Sequence, residues 1–91
     1  MDIRVGRVVD AEKVSGSKRL ARIMVDIGEK EPRQDIAGIA DYIDPKTLPG
    51  KNVIVLANLE PKKFMGLESR GMLLAADVNG KPVLLTVEED V

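Results

Sequence analysis

The chain has 91 residues, 44% of them hydrophobic and 32% charged, with a net charge of −1. That is room for one domain, residues 1–91, with a core small enough to benefit from a partner's surface. It has no Cys and no His, which excludes disulfide scaffolds, thiolate or imidazole metal sites and every His-based catalytic triad.

No apolar run approaches the ~20 residues of a helical membrane span. The start, Met1-Asp2-Ile3-Arg4, alternates polar and apolar residues and is no signal peptide. A soluble, cytoplasmic chain without a membrane partner is expected.

Ile3 to Val14 alternates apolar and polar residues with β-branched side chains, the pattern of a strand, and Gly6 inside it signals a bulge or a close backbone approach. Ser15 to Arg19 is a turn. Leu20 to Ile27 alternates again, with Ala21, Ile23, Val25 and Ile27 on one face. After a charged connection ending at Pro32, Arg33 to Ile39 forms a short third strand. Asp41 to Gly50 holds two prolines and has space for one helical turn.

Asn52 to Leu59 is an almost unbroken Val/Ile/Leu/Ala run, expected as a strand covered on both faces. Glu60 to Ser69 reads as a basic loop, and Gly71 to Val78 as the next strand. Asn79-Gly80 is a two-residue hairpin signal, because both central residues must take positive φ. Pro82 to Val87 is the returning strand. Five or six short strands with one helical turn predict a small all-β barrel, a Greek-key OB-fold first and an SH3-like barrel second.

The charge is unevenly spread. Residues 35–60 sum to −2 and 77–91 to −3, whereas 1–34 and 61–76 each sum to +2. The basic middle stretch, Asn58 to Met72, starts where a buried strand ends, so its polar groups sit on a barrel rim that holds them still. Lys62, Lys63 and Arg70 suit phosphates, Asn58 a base edge, and Ser69 a sugar or phosphate. On composition alone a Lys-Lys pair is a solvated loop, and Phe64 and Met65 are plugs closing a barrel end. Asn58 has an equally good structural role in tying the loop to the strand end.

The wording of the stretch goes further. Asn58-Leu59-x-Pro61-Lys62-Lys63-x-x-Gly66-x-x-Ser69-x-Gly71-Met72-Leu73-Leu74-Ala75-Ala76 resembles the signature of the tRNA-binding domain family. These are OB-fold modules appended to methionyl-tRNA synthetases, present in endothelial-monocyte-activating-polypeptide-like proteins, or freestanding. The opening Asp2-Ile3-Arg4-Val5-Gly6-Arg7-Val8 is similar to the family's first strand, and Val25-Asp26-Ile27-Gly28 and Gly50-Lys51-x-Val53 also fit.

Two stretches depart from the family pattern. Val14 to Leu20 replaces the family's His-Pro-Asn-Ala-Asp-Lys-Leu and keeps only a base at Arg19 and the apolar Leu20. On the third strand Arg33 and Gly38 are retained, but Ala37 lacks the family's serine hydroxyl and Asp35 adds a carboxylate.

The resemblance implies binding of folded tRNA by shape and backbone, through Arg33, Asn58, Lys62, Lys63, Ser69, Arg70 and Met72. It implies a homodimer, with an aminoacyl-tRNA synthetase as a further partner. The start at Met1 favours a freestanding protein acting in trans. Stacking of many bases is not expected, since Tyr42 and Phe64 are the whole aromatic supply.

The alternative is a CsaA-like chaperone that binds unfolded or secretory polypeptides through exposed Phe64, Met65, Leu67 and Met72. An enzyme is not expected, as nothing pairs a nucleophile with a base. No cofactor or metal is expected, and Glu88-Glu89-Asp90 reads as a solvated acidic run.

Overall fold

The computed structural model describes residues 1–89, so Asp90 of the acidic run lies outside the described residues. The strands are β1 (Ile3–Lys13), β2 (Ala21–Asp26), β3 (Arg33–Ala37), β4 (Asn52–Leu56), β5 (Lys62–Phe64), β6 (Leu67–Ser69), β7 (Met72–Leu73), β8 (Ala75–Val78) and β9 (Lys81–Leu84). A 3-10 turn spans Pro45–Thr47, capped by the Asp44 carboxylate, which accepts from the Lys46 N–H. Among the described residues no helix is long and apolar enough to cross a membrane.

Five strands form one antiparallel sheet in the order β3-β2-β1-β4-β7. A meander of three strands with the fourth returning beside the first is the Greek-key order. The sheet curls so that β3 approaches β6, where the Arg70 N–H donates to the Gln34 carbonyl (2.8 Å). The result is the expected small barrel, closed on itself except along part of that seam.

Alternation along β2 works as its pattern predicts: Ala21, Ile23 and Val25 are fully buried. They pack with Val8, Val53, Val55, Leu48 and Leu73 into one core. Gly6 makes the close approach, because a Cβ there would drive into Val25 Cγ1. The bulge itself lies further on, between Val8 and Asp10, where the extra residue lets one long strand bend and pair with both β2 and β4.

Several expectations need correction. The fourth strand stops at Leu56, and it is fully covered on one face only: Val53 and Val55 are buried, whereas Ile54 and Leu56 are half-buried. Along its edge the Leu74 N–H donates to the Ile54 carbonyl and Thr86 Oγ1 to the Asn52 carbonyl.

The single strand Gly71–Val78 is two strands, because Met72–Leu73 pairs with β4 and Ala75–Val78 pairs with β9. The third strand ends at Ala37, and the last runs Lys81–Leu84. The basic stretch is not a loop. It folds into the β5–β6 hairpin around Met65 (φ 50°) and Gly66 (φ 82°), the same positive-φ turn that Asn79 and Gly80 make between β8 and β9.

Candidate nucleic-acid interface

The β5–β6 hairpin projects Lys62 and Lys63 from one end of the barrel, both exposed. Neither has an ion pair among the described residues, unlike Arg70, whose Nε lies 3.3 Å from Glu68 Oε1. Two free ammonium groups on a short paired ribbon keep their full charge for a ligand while the ribbon limits their motion. Met72 lies nearby at the start of β7, 52% exposed.

The other residues of the expected site are structural. Arg33 donates through Nη1 to the carbonyls of Ala57 (2.6 Å) and Arg70 (3.1 Å), and through Nε and Nη2 to both carboxylate oxygens of Glu29 (2.7 and 3.0 Å). This guanidinium fastens β3 to the end of β4 and to the residue after β6. The hydrogen bond to Glu29 raises the Arg33 pKa and lowers that of Glu29 below the usual carboxylate range.

Ser69 is 5% exposed. Its Oγ accepts from the Ile36 N–H (2.9 Å) and donates to the Gly71 carbonyl (3.3 Å), so the hydroxyl closes the seam. Asn58 Oδ1 accepts from the Asp2 N–H (2.9 Å), and the Ala57 N–H donates to the Asp2 carbonyl (2.8 Å). Asn58 therefore ties the chain start to the strand end, the structural role weighed for it from sequence.

Arg33, Ser69 and Asn58 thus shape the mouth, and Lys62, Lys63, Arg70 and Met72 face solvent around it. Phe64 and Met65 do not plug the barrel. Phe64 is 38% exposed, and Met65 sits at the hairpin turn.

Two features were not legible as part of the site. The first is a cavity of about 350 Å³ between the end of β3 (Ile36 to Ile39) and the wall made by Leu59, Lys62, Phe64 and Met72. The second is Asp35, which the sequence presents as an added surface charge on the third strand. It is instead 1% exposed, and neither carboxylate oxygen has a hydrogen-bond partner. Burial pushes its pKa up from 3.8 to about 6, against the opposing pull of Arg33. Gly71 packs beside it (φ 140°), where a Cβ would lie 3.1 Å from Asp35 Oδ1 and 3.2 Å from the Leu56 carbonyl, so only glycine fits under the mouth.

Residues 3–91 match a family model described as "Putative tRNA binding domain". The chain is 58% identical over its whole length to a methionine–tRNA ligase of Archaeoglobus fulgidus, and 56% identical to that of Methanothrix thermoacetophila. It spans only 14% and 13% of those two proteins.

Among solved structures, the MetRS-related protein of Pyrococcus horikoshii superposes with a TM-score of 0.90 at 47% identity, over 98% of this chain and 82% of that one. The chaperone CsaA of Bacillus anthracis superposes with a TM-score of 0.85 at 28% identity, over 99% of this chain and 83% of that one. With the family's signature stretch folded into a rim hairpin on an OB-like barrel, this chain belongs to the tRNA-binding domain family.

Proposed function

We propose that this chain binds folded tRNA from the open end of the barrel, reading phosphates, sugars and overall shape, either within an aminoacyl-tRNA synthetase or in trans to one. The observation that carries this reading is the hairpin presenting Lys62 and Lys63, neither of them ion-paired among the described residues, on the family's own signature. Phosphate contacts of this kind position a nucleic acid without reading its sequence. A net charge of −1 leaves the attraction local to this end. The reading calls for no cofactor, metal or catalytic group. Such a module raises the concentration of tRNA near a synthetase active site.

Binding of unfractionated tRNA measured between 50 and 200 mM salt tests it. Two to three phosphate contacts give a log–log slope of about −2 to −3 as counterions are released. A slope near zero would overturn the reading.

The likeness to a chaperone and the exposure of Phe64, Met65 and Met72, joined by Leu59 where the expected Leu67 is half-buried, favour polypeptide binding as the second reading. Competition between tRNA and an unfolded model protein, run at two salt concentrations, separates the two. We further propose a homodimer that covers the exposed outer-face residues Ile3, Val5, Val83 and Leu85. A mass that stays monomeric at high concentration would remove that part.

A further inference from the structure

The tip of the β5–β6 hairpin touches a second element. A Cβ at Gly16 would lie 3.4 Å from the Met65 Cε, ordinary van der Waals spacing, so the methionine methyl sits against the bare backbone of the β1–β2 turn. Met65 holds this place at φ 50°, a region that costs a methionine free energy. Asparagine or glycine would make the hairpin turn more easily. What methionine adds is the reach that joins the hairpin to the turn.

The β1–β2 turn is fixed by its own hydrogen bonds. The Val14 N–H donates to the Leu20 carbonyl (2.9 Å), and the Ser17 N–H donates to the Val14 carbonyl (3.1 Å). Ser17 Oγ accepts from the N–H groups of Arg19 (3.3 Å) and Leu20 (3.1 Å). Lys18 stands inside this bracket, exposed and without an ion pair among the described residues. Its neighbour Arg19 is engaged elsewhere, with Nε 3.8 Å from Asp41 Oδ2. No acid lies between Val14 and Leu20, whereas the family's wording has an aspartate at the position of Lys18.

This end of the barrel therefore carries a third exposed ammonium, on an element in contact with the one that carries Lys62 and Lys63. Phosphates repeat along a nucleic-acid strand, so a polyanion laid across the hairpin meets the turn as well. We propose that the β1–β2 turn is a second tRNA-binding element. Lys18 is its phosphate contact, and Met65 is the positioning residue that holds hairpin and turn together. The proposal rests on the tRNA-binding reading and extends it to a residue outside the signature stretch.

The test uses the full chain and a tRNA transcript, with affinity measured between about 50 and 200 mM salt. Lys18→Ala should lower the salt slope by about 1 and weaken binding about fivefold to tenfold near 0.1 M salt, without moving the melting midpoint. Lys18→Arg should restore both. Lys13→Ala is the control, because that lysine lines a groove with Glu12, Asp41 and Asp44, and its loss should leave the slope unchanged. Met65→Asn keeps a turn-forming residue before Gly66 and removes the methyl from Gly16. In that background Lys18→Ala should cost no more than about twofold, since coupled positions do not add.

An unchanged slope in Lys18→Ala, with Lys62→Ala/Lys63→Ala still weakening tRNA, overturns the second element and leaves the tRNA-binding reading standing. An equal loss of slope in Lys13→Ala overturns it too, because the effect is then one of net charge. A full Lys18→Ala loss in the Met65→Asn background overturns the role given to Met65. Failure of the unaltered chain to bind tRNA at low salt removes both the proposal and the reading beneath it.

Discussion

The two ends of the β3 seam contrast sharply. At the Arg33 end the polar groups are committed: the guanidinium holds two carbonyls and a carboxylate, Gln34 Nε2 donates to the Glu68 carbonyl, and Ser69 replaces a ladder bond to Ile36. At the Gly38 end apolar side chains are exposed, and the nearby lysines have no ion pair among the described residues. The contrast separates two jobs that one sequence motif runs together. Each donor that a residue gives to the fold is withheld from a ligand. The groups left to grip a ligand are those the fold does not need.

Breaking the committed end should have the largest effect on stability. Arg33→Ala removes a half-buried, charge-assisted network and leaves the Ala57 and Arg70 carbonyls without a partner. A loss of about 3 kcal/mol is expected, read as a fall of roughly 12–24 °C in melting midpoint. Arg33→Lys should rescue little of it, because one ammonium cannot reproduce the planar fork. An Arg33→Ala variant that keeps its midpoint but loses tRNA would move Arg33 to the binding side of the comparison.

Asp35 comes next, with the opposite sign. Its folded pKa of about 6 lies above the ordinary value of 3.8, so the folded chain holds the proton more tightly than the unfolded chain. Stability therefore falls as pH rises from about 4 to 6 and stays lower above that range. Asp35→Asn should gain about 1–2 kcal/mol at pH 8 and flatten this decline relative to the parent. Thermal melts of both proteins at pH 4, 6 and 8 check it. Identical pH profiles would show that Asp35 finds a partner in solution.

Ser69→Ala leaves the Ile36 N–H unpaired at a closed stretch of the seam and should cost about 1–3 kcal/mol. Ser69→Thr, which keeps the hydroxyl, tests whether the bond rather than the volume matters. Smallest in stability is Lys62→Ala/Lys63→Ala at the open end. It should move stability by no more than about 0.5 kcal/mol, yet reduce the salt slope of tRNA binding by about 2. A large fall in melting midpoint from this pair would mean that the hairpin depends on those stems for packing.

Much of the barrel was legible in advance. Alternation placed Ala21, Ile23 and Val25 in the core because strand periodicity is a local property, and Asn79-Gly80 announced its turn because positive φ is a property of those residues alone. The β5–β6 hairpin was missed because its turn is Met65-Gly66, and methionine does not signal positive φ. The one-sided burial of β4 was missed because a continuous apolar run does not say whether both of its faces are covered.

Local pattern specifies β1 to β4, the single core and the basic signature that marks the family, since each of these depends on neighbours in the chain. Tertiary structure alone decided which of Arg33, Asn58, Ser69, Lys62 and Lys63 hold the fold and which stay free. Arg33 reaches Ala57 and Arg70, and Ser69 reaches Ile36, across 24 to 37 residues of chain, and Asn58 reaches Asp2 across 56. Composition records how many donors and acceptors a chain has. Only folding decides which of them meet one another and which are left for a ligand.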